Sequence, residues 1–408
     1  MSHENPVVTG LGVLSPLGAG APRFTAGLLS GVTGFRDVTR FDTAGLGAHR
    51  GGELTDFDPA ESLGAGNFRP LDRTGLLATA AARLALDDAG FPAGAPAPEI
   101  GLVLGTMFGS LKTIAEFDRR ALVEGPIYAK PMDFANSVIN AAAGQAAIWH
   151  RLPGANATIS GGPAAGLAAL VYAGDLLRRG QAEILVAGGA DEMCFESFLG
   201  FDRRGELLAN GADPKPFGAD RRGFLHGEGA GLLVLETAAG ARARGARIHA
   251  ELLGSGNRFD PSRGSDAASA ADAAARAMTA ALAQAGLAPE AVDVVSAAAN
   301  GSLRLDRAEA LALGRVFGAR AIHLPVVAVK AQTGEALGAS GAFQAVALLA
   351  VFATGTVPGI RGLDTIEPDL PIDPENGWTR PLDARVGLVH AASMDGQHVA
   401  LVIRKGTP

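Results

Sequence analysis

Thr158-Ile159-Ser160-Gly161-Gly162-Pro163-Ala164-Ala165-Gly166-Leu167-Ala168-Ala169-Leu170 is the stretch on which the fold of this chain turns. It reads as a short strand, a glycine-rich turn and the start of a helix that runs to Arg178-Arg179-Gly180. Leu167, Leu170, Val171 and Leu177 recur at helical spacing, Pro163 suits a first helical position, and Gly180 follows a basic last turn as a stop. A strand feeding a buried helix through glycines is an active-site geometry, because the helix N-terminus stabilises the anion of a nucleophile placed there. The residue in that place is Pro163, which has no nucleophilic atom and no backbone N–H.

Outward from this turn the chain alternates strands and helices. Upstream, Pro6 to Pro16 reads as a strand into a turn, Ala21 to Leu29 as a helix, Leu71 to Ala89 as a helix with Asp72 near its start, and Ile100 to Gly105 as a buried strand. Residues 42–67 are glycine-rich and weakly patterned, which suits surface loop. From Met107 to Gln145 the pattern breaks up, and Met107, Phe108, Leu111, Phe117, Met132 and Phe134 scatter among polar and turn residues as a contact surface would. Downstream, Ala182 to Gly189 is a further strand, so the central unit implies a parallel crossover. His226-Gly227-Glu228-Gly229-Ala230-Gly231 runs into strand Leu232 to Glu236 and not into a helix, which argues against a phosphate cradle. The second half repeats the rhythm: strands at 248–253, 292–297 and 326–329, helices at 267–284, 306–317 and 340–354, and closing strands at 385–390 and 398–403. Two similar halves imply an internal duplication.

Composition sets the bounds. The 408 residues suffice for one large α/β unit, and a net charge of -7 argues against a broad nucleic-acid surface. Basic pairs such as Arg203-Arg204 and Arg221-Arg222 read as solvated ends, or as contacts for an acidic partner such as a carrier protein. The single cysteine, Cys194, excludes an internal disulfide and a thiolate cluster, and neither metal nor cofactor is expected. No apolar run reaches about 18 residues without polar interruption, and Met1-Ser2-His3-Glu4-Asn5 lacks the pattern of an export signal, so a cytoplasmic protein free of the membrane is expected.

The quoted stretch resembles the nucleophile turn of the β-ketoacyl synthases, Thr-x-x-x-Ala-Cys-x-x-Gly before an apolar helix. Thr158 and Gly166 match, and Pro163 falls on the cysteine. The Pro216-Phe217 to Gly231 block resembles a second family motif, with Gly218 in place of its first Asp. The resemblance covers nearly the whole chain. It implies a thiolase-like α/β fold, internally duplicated as five αβαβα layers, with halves at 1–245 and 246–408 in one compact unit. Laid on the family's first histidine motif, Asp306 and Glu309 keep their spacing and Ala298 falls on the histidine. Laid on Lys-x-x-x-Gly-His, Lys330 is kept and Glu335 falls on the second histidine, leaving Lys330 and Glu309 to pair as a support. Met394 takes the gate position of the family's Gly-Phe-Gly-Gly.

In the family a thiolate takes the acyl group and two imidazoles polarise the malonyl thioester for decarboxylation. Pro163 and Ala298 supply neither, and the negative charge of Glu335 opposes an enolate. The resemblance therefore points to a chain length factor, the silent partner of a type II polyketide ketosynthase, in a heterodimer served by an acyl carrier protein. It implies that the polyketide chain threads from the partner's cysteine to the interface, where Met107, Phe108, Leu111, Phe117, Met132 and Phe134 set its length. The kept Phe224...Gly-Glu-Gly-Ala-Gly and Gly-Ala-Ser-Gly blocks favour systems that build reduced or polyene chains. Two rivals stay open: an independent acyl-transfer enzyme with chemistry relocated to Cys194, His226 or Glu335, and a scaffold that binds acyl carriers.

Overall fold

The computed structural model describes residues 4–93, 98–209, 211–373 and 379–406, so that Met1-Ser2-His3 of the N-terminal reading lie outside the described residues. Its strands repeat one order twice. The first half contributes β1 (Val7–Ser15), β2 (Ile100–Thr106), β3 (Asn156–Ser160), β4 (Ile184–Asp191) and β5 (Gly229–Glu236). The second contributes β6 (Ala250–Phe259), β7 (Val294–Ser296), β8 (Val326–Val327), β9 (Val386–Ala392) and β10 (Gln397–Lys405). Across the sheet they run β8-β7-β9-β10-β6-β1-β5-β4-β2-β3. Each half is thus ordered third, second, fourth, fifth, first from its outer edge. The senses repeat too: the second strand is parallel to the third and fourth, and the fifth is antiparallel to the fourth and first. The halves meet through a short ladder, Val7 opposite Glu251 and Val8 opposite Ala250.

Parallel strands covered on both faces must be apolar throughout, and every residue of β2 is buried. The covering helices are α1 (Arg73–Asp88), α2 (Leu111–Arg119), α3 (Ala141–His150), α4 (Ala165–Arg178), α5 (Phe195–Arg203), α6 (Ala267–Ala285), α7 (Leu303–Phe317) and α8 (Ser340–Thr354). Three cores define the layers. Leu77, Ala81 and Ala85 of α1 pack with Leu102 and Leu104 outside the first half. Met278 and Leu282 of α6 and Leu313 of α7 pack with Val295 and Leu388 outside the second. Between them, Leu167, Leu170 and Leu177 of α4 meet Phe343, Val346 and Val351 of α8. This is the five-layer duplicated architecture expected. The stretch Leu337–Thr354 is apolar enough to cross a membrane, but 89% of it is buried inside the molecule, as a core helix requires.

The elements begin where their caps put them. Asp72 accepts the Gly75 N–H at 2.8 Å to start α1, and Ser302 caps α7, which therefore begins three residues before the expected Asp306. Two expectations are corrected. Pro163 does not open the α-helix: it sits in a 3-10 turn, Gly162–Ala164, ahead of α4. The segment from Met107 to Gln145 is also more regular than it reads, with α2, the π turn Arg120–Glu124, a short helix Pro131–Phe134 and α3. None of α2 is fully buried, so no core-facing apolar stripe announces it.

Candidate functional site

Glycines bring the central turns together. A Cβ at Gly162, which has φ +59, would collide with the Ser393 hydroxyl, and a Cβ at Gly166 or Gly189 would collide with the Gly338 carbonyl. The turn carrying Pro163 therefore packs against Leu337–Ala339, just beyond Glu335, and against the 393–396 turn. Pro163 itself is buried.

Glu335 is 1% exposed, and both its carboxylate oxygens are hydrogen-bonded. Its Oε2 accepts from Lys330 Nζ at 2.8 Å and from Asn300 Nδ2 at 2.9 Å, and its Oε1 accepts from the Ser340 hydroxyl at 2.6 Å. Ser340 in turn accepts the Ala336 N–H at 2.9 Å. Glu309 stands apart from this group, which corrects the expected Lys330–Glu309 pair. Its oxygens accept the backbone N–H groups of Ala298 and Ala299, each at 2.8 Å, and Oε1 lies 2.5 Å from His390 Nδ1. His390 Nε2 then lies 3.3 Å from His398 Nδ1, and burial together with His390 pushes His398 down to about 3. Lys330 is thus paired with a carboxylate, while Glu309 is held by two amides and a histidine. Asp306 accepts from the N–H groups of Phe217, Asn300 and Gly301 at 3.0, 3.1 and 3.1 Å, with burial pushing it up to about 6. It holds the loop that follows Ala298 in shape.

The six expected length-setting residues divide. Met107, Phe108 and Leu111 line a cavity of about 590 Å³, with Phe201 and Met394, rimmed by Arg204, Arg263 and Asp395. The cavity wall is held by Asp191, a residue the sequence did not single out. It accepts from Thr106 Oγ1 at 2.6 Å and from the N–H groups of Met107 and Gly338, both at 2.7 Å. Phe117 and Phe134 instead pair ring to ring at 6.0 Å, and Met132 and Phe134 are each 64% exposed. They belong to an apolar surface with Leu122, Val123, Ile127 and Tyr128, which are 85%, 73%, 88% and 62% exposed. Exposed apolar side chains gathered in this number are the mark of a contact surface. A second cavity of about 510 Å³ shares Arg204 and Met394 with the first and adds Arg222 and Arg304. Glu206 lines it too and pairs with Arg204 at 2.7 Å, so its excess positive charge comes from Arg222 and Arg304.

The residues of the relocated-chemistry rival are engaged elsewhere. Cys194 is buried, and burial pushes its thiol up to about 12. His226 Nε2 lies 2.9 Å from Ser197 Oγ, but that hydroxyl also donates to the Cys194 carbonyl at 3.0 Å. Burial pushes His226 down to about 4, so it is a weak base. Among the described residues no three His, Cys, Asp or Glu side chains group as metal ligands.

Duplicated sheets around two buried helices, with the strand-turn-helix entry at their centre, define a thiolase-like α/β protein. The sequence matches the β-ketoacyl synthase N-terminal domain over residues 4–241 and the C-terminal domain over residues 249–364. This chain belongs to the β-ketoacyl synthase family. A curated relative, 3-oxoacyl-[acyl-carrier-protein] synthase 2 of Synechocystis sp., is 32% identical, with 99% of each chain covered. Among solved structures, the ishigamide ketosynthase/chain length factor superposes with TM-score 0.91 at 33% identity over 100% of both chains. A type II PKS acyl-carrier protein in complex with its ketosynthase bound to the hexaketide gives 0.88 at 26% identity, covering 99% of this chain and 100% of that one.

Proposed function

We propose that this chain is a chain length factor: a catalytically silent subunit that pairs with an active ketosynthase, shapes the acyl tunnel and limits the length of a carrier-bound polyketide. One observation carries this reading. Where the family's chemistry needs a thiol and two imidazoles, this chain has Pro163, Ala298 and Glu335, and Glu335 is tied to Lys330, Asn300 and Ser340. Both oxygens of that carboxyl group already accept hydrogen bonds, and it offers no N–H donor of the kind that polarises a thioester.

The exposed apolar surface around Ile127 supports a partner subunit, and the likeness to a ketosynthase/chain length factor structure supports that partner's class. Arg222 and Arg304 at the second cavity suit an acidic carrier protein. Met107, Phe108 and Leu111 on the cavity, and Phe117, Met132 and Phe134 on the contact surface, are the residues that stop the growing chain. Met394, which lines the same cavity, is the gate. The product class is a reduced or polyene chain made in the cytoplasm. The test is co-production with a ketosynthase and carrier protein, replacing each of the six residues by Ala and weighing the products. Longer chains from at least one variant are expected, and unchanged length across all six would defeat the assignment.

A further inference from the structure

Asp191 closes β4, and its carboxylate, 1% exposed, gathers four donors from two segments of the chain. Oδ1 accepts the Thr106 hydroxyl at 2.6 Å and the Phe108 N–H at 3.2 Å. Oδ2 accepts the N–H groups of Met107 and Gly338, each at 2.7 Å. The first segment is the turn that leaves β2, and the second is the turn beyond Glu335. Thr106 extends the hold along the first, because the hydroxyl that donates to Asp191 also accepts the Gly109 N–H at 2.9 Å. Only glycine allows the second to come so near: a Cβ at residue 338 would lie 2.6 Å from Asp191 Oδ2 and 2.7 Å from the Thr106 Cα. Leu337, next to the Gly338 N–H, is fully buried at φ +52, a left-handed conformation that leucine keeps only where its surroundings hold it. It clusters with Phe201 and Phe224, and Met107, Phe108 and Met394 pack against the same cluster.

We propose that Asp191 is a positioning residue for chain-length control: it clamps the cavity wall at Met107 and Phe108 to the turn of Leu337 and Gly338. This inference rests on the chain length factor reading above. Asp191 does not line the cavity, so it acts through the two wall residues whose own N–H groups it holds. Burial raises its pKa to about 6, and at pH 8 it is a carboxylate that only accepts. Asp191→Asn keeps the shape but turns one of the two oxygens into an NH2 group, which then meets two donors where it had accepted from them. The wall loses its tie while the side chains that stop the growing chain stay in place.

The test is co-production of each variant with an active ketosynthase and carrier protein, with products weighed at pH 8 and complex recovered by native mass. Asp191→Asn is expected to pair normally and to raise the ratio of longer to parent chains by about threefold or more. Thr106→Val, which removes one donor and keeps the shape, is expected to shift the ratio the same way by less, and it carries the test if Asp191→Asn does not fold. On a background of Met107→Ala with Phe108→Ala, Asp191→Asn is expected to add no further lengthening, as a residue acting through those two must. Leu282→Ala, which loosens the outer core of the second half away from the cavity, is the control for general destabilisation and is expected to leave length unchanged. Further lengthening on the double-alanine background, or equal lengthening in Leu282→Ala, would overturn the clamp. Unchanged length in Asp191→Asn and Thr106→Val beside longer chains from Met107→Ala or Phe108→Ala would overturn the clamp and leave the chain length factor reading standing. Unchanged length in these and in all six alanine variants would defeat both.

Discussion

Lys330 and Glu335 are 2% and 1% exposed and 2.8 Å apart, a buried ion pair. Breaking such a pair leaves one uncompensated buried charge, at about 3–5 kcal/mol, whereas removing both partners costs far less. Lys330→Met is therefore expected to lower stability by about that amount, and Lys330→Met with Glu335→Leu by clearly less, read from denaturant midpoints. Equal losses in the single and double variants would show that the two side chains act independently. Protons make a second prediction at this scale. His226 and His398, held down to about 4 and about 3 by burial, stay neutral in the fold while the unfolded chain takes up protons below its ordinary histidine pKa of about 6.5. Their effect is a loss of stability as pH falls from about 6.5 toward those values. Glu192 has the opposite sign: with a folded pKa of about 8, its protonated form stabilises at low pH, and the contribution is lost as pH rises through that value. Unfolding curves at pH 5, 6.5 and 8.5 check both, with His398→Gln expected to flatten the acid side and Glu192→Gln the alkaline side. The sequence revealed which residues stood at the family's positions, but not their partners. Lys330 and Glu309 look equally available along the chain, and only the folded loop shows that Glu309 is taken by the amides of Ala298 and Ala299.

Among elements, α8 was legible because burial on every side makes a helix apolar throughout, and Ser340–Thr354 falls where the sequence put it; α4 was legible from the helical spacing of Leu167, Leu170 and Leu177. The segment beyond Met107 was not, because its large side chains face away from this chain's core. Leu122 and Ile127, 85% and 88% exposed, carry a pattern that a second subunit would complete. Ile127→Lys is accordingly expected to abolish pairing with the ketosynthase while leaving the chain folded, as native mass and circular dichroism would report. Loss of fold along with pairing would instead make this surface a covering for the chain's own core. The close approach of the central turns is tested at Gly189, where a Cβ would run into the Gly338 carbonyl. Gly189→Ala is expected to cost about 3 kcal/mol or more, since backbone cannot move aside as a side-chain tip can. A cost near zero would mean that the two turns are not in contact.

For the whole molecule, the repeated strand order is the firmest link between sequence and fold, since the same rhythm of strands and helices is spelled twice along the chain. The fold packs the turn of Pro163 against Leu337–Ala339 and ties Asn300, beside Ala298, to Glu335, so the three turns lie close to one another within the family scaffold. Silence is the central claim, and the most direct measurement is intact mass of the purified chain and of the carrier proteins after incubation with acyl- and malonyl-carrier protein, without a partner. An unmodified chain and undecarboxylated malonyl-carrier protein are the expected result, with condensation restored only when an active ketosynthase is added. Acylation of this chain, or loss of CO2 from the malonyl group in the partner's absence, would contradict it.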